Sequence, residues 1–374
     1  MKSFFIVAGE SSGDNYGASL IRETKKLDPS IQFHGIGGQK MKDAGLNQLH
    51  DIDRLSIVGF VQVIKSYSFL KRIVNSTLND IDRISPDKII LIDYPGFNLH
   101  IAKKIKQTHD IPIYYYIPPQ IWAWKESRLK TIKRFIDKVF VIFEFEQNWY
   151  KERGLDVEYV GHPFLDGWSA TNEDKIKQYF NVKNKARVVT LFPGSRRQEV
   201  EHHLPLFIKV ASELNDLFGG KIQFILGVAD NVKHHIMSHK IPKFIHLEYK
   251  NPMYALEAAD LGIIASGTST FEACVLETPM IVVYKMSFIN WFIISRLIKV
   301  PYASIVNIIA NKKVVPEYLQ FDATPEKIAS AVCMLLNDNS LLKKLKKEQM
   351  AVKKIIGGKG ASAKVANLLL NEKV

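Results

Sequence analysis

The chain has 374 residues, 47% of them hydrophobic, and a formal net charge of +13. The length suits two domains, and the composition excludes a disordered or fibrous chain. Cys274 and Cys333 have no paired spacing, which excludes a disulfide framework or zinc knuckle and fits a reducing compartment.

The positive balance favours anionic partners, such as phosphorylated substrates or acidic lipid. Nucleic acid is set aside, because no zinc-finger, RNA-recognition or interleaved Lys/Arg–aromatic pattern is present. The apolar run 4–8 is too short for a signal peptide and reads as a first strand. No uninterrupted apolar run is long enough to span a bilayer.

In chain order, strand 4–8 leads into Gly9-Glu10-Ser11-Ser12-Gly13-Asp14 and a helix over 16–27. Strand 32–35 runs into Gly37-Gly38 and a further helix start. Strands follow at 88–93, 113–117 and 138–143, with a helix over 97–106. The pattern stops near 161–168, and the polar segment 171–186 reads as a linker. A second series then begins with strand 188–192, a helix to about Leu217, and strands at 222–226, 263–265 and 280–284. Strands alternating with helices predict parallel sheets wrapped by helices. The expected architecture is therefore α/β, with two doubly wound, Rossmann-like domains (1–170 and 187–350) facing each other across a cleft. A helical tail over 351–374, broken at Gly357-Gly358, is placed to return to the first domain. Gly35-Ile36-Gly37-Gly38 is not a dinucleotide fingerprint, because Lys40 holds the last glycine position, and no Walker A sequence is present.

The most informative segment is Ser266-Gly267-Thr268-Ser269-Thr270 after the apolar run 261–265. With a helix from about Phe271, the turn presents small residues and free N–H groups to a phosphate or diphosphate. Glu272 would sit in the first helical turn, within reach of a sugar hydroxyl. Pro193-Gly194-Ser195-Arg196 repeats that chemistry after strand 188–192: Gly194 and Ser195 permit close approach, and the Arg196 guanidinium grips a phosphate with two bonds. Its plain reading is a surface loop with Glu199 at a helix start.

In the first half, Gly9 and Gly13 let a substrate near the backbone, and Glu10 would point at it. Asp93, in Ile92-Asp93-Tyr94-Pro95-Gly96-Phe97-Asn98, ends an apolar strand, where it either takes a proton from an attacking hydroxyl or caps the helix near Phe97. The loop Pro118-Pro119-Gln120-Ile121-Trp122-Ala123-Trp124 suits a wall against a sugar or acyl chain, or ordinary packing. The apolar stretch 288–300, with Phe288, Trp291, Phe292, Arg296 and Lys299, reads as an interfacial helix with snorkelling cations or as a buried core helix.

Taken in order, these segments resemble lipid-A-disaccharide synthases, inverting glycosyltransferases of the GT-B architecture and family 19 type. The resemblance covers nearly the whole chain: 8–14, 92–98, 119–124, Val160-Gly161-His162-Pro163, 193–196, 266–272 and 300–320. It implies transfer of 2,3-diacylglucosamine from UDP-2,3-diacylglucosamine to the 6-hydroxyl of 2,3-diacylglucosamine 1-phosphate. The products would be the β-1,6-linked disaccharide 1-phosphate of lipopolysaccharide biosynthesis and UDP.

The resemblance implies no metal and no cofactor, with Asp93 as general base and Glu10 as an acidic residue beside the acceptor. Gly9, Ser11, Gly13, Trp122 and Trp124 would lie on the acceptor side. Arg196, Ser195, Gly194, the 266–270 turn, Glu272 and Asn307 would bind UDP. Many family members carry a second acid after the proline, where this chain has Gly96. The resemblance also implies a peripheral enzyme, possibly a homodimer, on the anionic cytoplasmic face of the inner membrane. Two other readings suit the same architecture: a UDP-sugar 2-epimerase, and a non-catalytic nucleotide-sugar binder at a membrane surface.

Overall fold

Runs of Val, Ile, Leu and aromatic residues that are apolar on both faces belong in parallel sheets covered by helices on each side. The computed structural model describes residues 2–52, 63–183 and 186–371. It divides into one unit of Met1–Trp168 with Ile356–Val374, and a second of Ser169–Ile355.

The first unit contains β1 (Ser3–Ala8), β2 (Gln32–Gly37), β3 (Leu46–Asp51), β4 (Lys88–Ile92), β5 (Ile113–Tyr116), β6 (Lys138–Val141) and β7 (Glu158–Tyr159). Their spatial order is β3-β2-β1-β4-β5-β6-β7, and neighbours pair in parallel. The second unit contains β8 (Arg187–Phe192), β9 (Ile222–Gly227), β10 (Ile245–Glu248), β11 (Leu261–Ala265), β12 (Met280–Tyr284) and β13 (Glu317–Leu319). It too is parallel, in the order β10-β9-β8-β11-β12-β13. Both units are doubly wound and Rossmann-like. Strand order reverses between β1 and β4 in the first and between β8 and β11 in the second. In such sheets the turns at the carboxyl ends of the reversing strands diverge and leave room for a ligand.

Several boundaries differ from the sequence reading. The strand expected over 138–143 ends at Val141, because Ile142 and Phe143 give their N–H groups to the Glu146 carboxylate instead of a strand partner. The segment read as a linker contains the helix Glu173–Tyr179, capped by Asn172 and packed within the second unit through Tyr179 on Tyr254. Its residues 184 and 185 lie outside the described residues. Strand β3 was not read at all; its Asn, Gln, His and Asp side chains hide the apolar signal.

The tail does return to the first unit. Helix Asn339–Ile356 ends at the 357–360 turn, and helix Ala361–Asn371 packs on helix Ser11–Leu27 with Val365, Ala366 and Leu369 buried. Asp166 fixes its start: the carboxylate accepts the N–H groups of Gly360 (2.6 Å), Ala361 (3.2 Å) and Ser362 (2.7 Å). Loss of such a cap costs about 1–2 kcal/mol. Asp166→Ala should therefore lower the stability of the first unit by about that amount and speed amide exchange in helix Ala361–Asn371 selectively, as hydrogen-exchange mass spectrometry would report.

His162, in the Gly-His-Pro segment, is buried edge-on to Tyr16, and its Nδ1 accepts the Phe164 N–H at 3.2 Å. Burial pushes its imidazole down to about 3. Between that value and the ordinary value near 6.5, the unfolded chain binds the proton that the folded chain refuses. Stability is thus full above about pH 6.5 and is lost as pH falls, by about 2 kcal/mol between pH 7 and pH 5. Glu146 and Glu272, whose carboxyls burial pushes up to about 7, act in the opposite sense, so the His162 contribution is read by difference: His162→Gln should lose less stability than the parent chain between pH 7 and pH 5 in melting curves.

Candidate active site

The first reversal point is built by the turns after β1 and β4. Asp93 and Tyr94 both have left-handed backbone, with φ of 47° and 44°. L-residues avoid this region at a cost of about 1–2 kcal/mol each, so other groups must hold them there. Asn98, fully buried on helix Pro95–Thr108, donates its Nδ2–H groups to the carbonyls of Ile92 (3.1 Å) and Asp93 (2.7 Å). The Tyr115 hydroxyl donates to the same Asp93 carbonyl at 2.8 Å.

The following helix starts at Pro95, two residues before the expected position, and Tyr94 is its N-cap residue. Gly96 lies at its second position with open space around it, so a carboxylate there would meet no obstruction.

Tyr94 reaches over the β1 turn. A Cβ at Gly9 would lie 2.3 Å from the Tyr94 ring, so only glycine allows this approach. Glu10 is the N-cap residue of helix Ser11–Leu27 without capping it through its side chain. Its charge, after burial, helps to push the Tyr94 hydroxyl up. Glu10, Tyr94 and Asp93 are therefore neighbours at one strand-order reversal. Ser11 and Gly13 occupy the first turn of the same helix, and Gly13 packs against Ala8. Asp14 turns elsewhere: its carboxylate accepts the N–H groups of Gly38, Lys40 and Met41 at 2.7–3.1 Å and starts the helix Gln39–Asp43.

The two tryptophans part company. Trp122 is 5% exposed, and its indole N–H donates to Glu146 at 2.9 Å, so it is a packed residue and not an open wall. Burial pushes the Glu146 carboxyl up to about 7 against the lowering effect of its three donors. Trp124 is only half-buried, with the Lys125 ammonium 4.2 Å from its ring centre.

The second reversal point carries the two turns with phosphate chemistry. After β8, Gly194 has φ 112°, and a Cβ there would lie 2.5 Å from the Glu199 carboxylate. Glu199 reaches back from helix Arg197–Leu217 to accept the N–H groups of Ser195 and Arg196, each at 3.2 Å, and pairs with the Arg196 guanidinium at 3.5 Å. Asn231 donates to the Ser195 carbonyl at 2.6 Å. Ser195 and Arg196 themselves remain exposed.

After β11, the helix begins at Thr268, three residues before the expected start. Its first turn is therefore Thr268-Ser269-Thr270, and the Thr270 N–H is already given to the Gly267 carbonyl at 3.1 Å. Glu272 belongs to the second turn, not the first. Burial pushes its carboxyl up to about 7, against a hydrogen bond to Ser269. Ser266 Oγ donates to Ala303 at 2.7 Å, and Thr270 Oγ1 closes its own turn on Gly267. Gly267 and Thr268 are exposed.

Asn307 departs from its expected role. It is fully buried, donates to Val315 and Glu317, and accepts from the N–H groups of Val314 and Val315. Both N–H donors and both oxygen lone pairs are used inside the protein. Asn307 thus braces the 314–317 segment and has no hydrogen bond left for a ligand. The sequence reading assigns no role to Asn98, Tyr115 or Glu146. Asn98 stands between Phe97 and Leu99 at the start of a helix that also carries His100, Lys103, Lys104 and Lys106, so its sequence does not single it out.

A family model described as lipid-A-disaccharide synthetase matches residues 4–373. The lipid-A-disaccharide synthase of Syntrophus aciditrophicus is 37% identical over 374 residues, covering 99% of this chain and 97% of that protein. The synthase of Geobacter sulfurreducens is 36% identical, covering 98% and 96%. That of Coxiella burnetii strain RSA 331 is 34% identical, covering 91% and 90%.

Among solved structures, the UDP-GlcNAc 2-epimerase from Neisseria meningitidis superposes with a TM-score of 0.70 at 15% identity, covering all of both chains. A calicheamicin glycosyltransferase does so at 0.62 and 12%, covering 99% and 98%. Structural likeness at such identities establishes the GT-B-like fold and does not separate an epimerase from a transferase. The sequence relationship separates them, and with a family match spanning all but the ends the chain belongs to the lipid-A-disaccharide synthase family, inverting glycosyltransferases that join a UDP-sugar donor to a lipid acceptor.

Proposed function

We propose that the turn after β4 supplies the base and the turns after β8 and β11 hold the nucleotide. The donor would be UDP-2,3-diacylglucosamine and the acceptor 2,3-diacylglucosamine 1-phosphate. The observation that carries this reading is the left-handed Asp93-Tyr94 pair, held by Asn98 and Tyr115. Strained non-glycine backbone persists where surrounding groups over-determine it, and such sites concentrate where a side chain must be aimed.

Asp93 takes the proton from the 6-hydroxyl of the acceptor sugar. The oxygen attacks C1 of the donor from the face opposite UDP, the C1–O bond to the diphosphate breaks, and configuration inverts. Negative charge grows on the departing diphosphate. The Thr268 and Ser269 N–H groups, the Ser195 and Arg196 N–H groups and the Arg196 guanidinium would meet it. Glu199 accepts the Ser195 and Arg196 N–H groups, so the diphosphate must compete with it for these two. Glu10 lies beside the base and suits a hydrogen bond to the acceptor sugar.

The lipid substrates call for a surface, and helix Phe288–Leu297 offers one. It has no buried residue: Phe288 is 64% exposed, Ile289 71%, Phe292 51% and Ile293 52%. This excludes the core-helix alternative. Burying such side chains stabilises by about 1.5–3 kcal/mol each, so a helix that leaves them in water is suited to an apolar phase. Arg296 lies over the Phe292 ring at 3.4 Å, with Lys299 just beyond the helix, and both suit anionic headgroups. No helix among the described residues is long and apolar enough to cross a membrane. We infer peripheral attachment to the anionic cytoplasmic leaflet of the inner membrane.

Two experiments test these roles. Asp93→Asn should lower kcat by roughly 10²–10⁴-fold with donor KM little changed, while Gly96→Asp should fold normally and leave kcat within a few-fold. The base assignment fails if Asp93→Asn keeps its activity, or if Gly96→Asp restores an Asp93→Asn enzyme. In vesicle flotation, Phe288→Ser/Phe292→Ser should release the protein from phosphatidylglycerol-containing vesicles and leave UDP affinity intact. Undiminished flotation of that variant would remove the helix from the attachment surface.

A further inference from the structure

His203 lies on helix Arg197–Leu217, two turns beyond the 193–196 segment, and is fully buried. Both ring nitrogens are engaged. Nδ1 is 2.9 Å from the Pro193 carbonyl, and Nε2 is 2.8 Å from the Lys285 main-chain nitrogen. A backbone N–H can only donate, so Nε2 accepts, and the proton must reside on Nδ1, which donates to Pro193. The ring is therefore the neutral Nδ1–H tautomer. Burial agrees, pushing the imidazole down to about 4. Phe207 stacks on it at 5.9 Å and Tyr284 packs at 5.5 Å, so the ring has little freedom to turn.

These two bonds span the second unit from one strand end to another. Pro193 follows β8 and opens the turn that carries Arg196 and whose Ser195 and Arg196 N–H groups go to Glu199. Lys285 follows β12, and its neighbour Met286 exchanges two hydrogen bonds with the Gln320 side chain, at 3.0 and 3.1 Å. The Pro193 carbonyl thus anchors the turn to a rigid part of the sheet.

We propose that His203 is a positioning residue for the donor diphosphate. It acts through the 193–196 turn and does not touch the substrate. By fixing the Pro193 carbonyl it sets the direction in which the Ser195 and Arg196 N–H groups point. The inference rests on the reading that this turn binds the diphosphate of UDP.

The test compares His203→Phe, His203→Gln and Arg196→Ala in the full chain. Phenylalanine keeps the packing and removes both bonds. Glutamine keeps one donor and one acceptor. Losing a buried hydrogen bond at an anchoring carbonyl corresponds to about a tenfold change. His203→Phe should therefore raise donor KM and the Kd for UDP about tenfold and lower kcat as well, because the same turn meets the charge on the leaving diphosphate, with acceptor KM within twofold. His203→Gln should recover most of that loss.

A purely structural role would lower the folded fraction, and with it kcat, while leaving both KM values unchanged; that result overturns the proposal. Unchanged UDP affinity in His203→Phe alongside weakened affinity in Arg196→Ala also overturns it. Unchanged affinity in both variants removes the donor-turn reading itself. If His203→Phe does not fold, ring ¹⁵N NMR of the native chain decides. His203 resonances that shift on UDP addition, with the Nδ1–H tautomer retained, support the proposal, and resonances unmoved at saturating UDP reject it.

Discussion

Backbone N–H groups released where a parallel strand ends have no ladder partner, and in this chain carboxylates take them. Asp14 holds the turn after β2, Glu146 the turn after β6, Glu199 the turn after β8 and Glu248 the turn after β10. Glu317 reaches from β13 to the N–H groups of Ala303 and Ser304, and Asp166 reaches to the last helix. Hydrogen bonds to charged groups contribute about 1.5–3 kcal/mol, enough to fix a turn that has few apolar contacts. Desolvation sets the limit, as Glu146 shows: its carboxyl titrates near neutrality because the burial that organises the turn opposes its charge.

At the two strand-order reversals this scaffold is used differently. The first tolerates strain, with successive left-handed residues at Asp93 and Tyr94 held by Asn98 and Tyr115 and a glycine beneath the Tyr94 ring. A rigid, strained turn suits a single proton acceptor, whose aim matters more than its affinity. The second is a pair of turns rich in N–H donors, one led by an exposed Ser-Arg pair and the other by an exposed Gly-Thr pair. Small exposed residues suit a diffuse charge, which is satisfied by several donors at once.

Much of this was legible before any coordinate. Continuous apolar runs such as 88–92 and 261–265 can hardly be anything but buried parallel strands, and the turn residues after them are where the proposed site lies. What stayed hidden has definite causes. The helix after Ser266-Gly267 starts at Thr268 because tertiary packing overrides the weak helix preference of Thr and Ser, and that early start moved Glu272 by one turn. Asn307 was named a ligand contact on the resemblance alone, and its place in the sequence gives no sign of its four internal hydrogen bonds. The helix Phe288–Leu297 could not be assigned to core or interface because an element apolar on every side has no periodicity to read. His203 and Tyr115 carry no motif; only their positions opposite carbonyls 10 and 22 residues away in sequence give them meaning.

The last helix changes the order in which the molecule can be finished. Asp166 and Ser362, which it joins, are 196 residues apart. A ribosome delivers the first sheet early, but the segment that covers helix Ser11–Leu27 is made only after the whole second unit. The second unit, whose residues are contiguous, has everything it needs while the first is still waiting for its cover. The unit that is started first is therefore the later of the two to be completed.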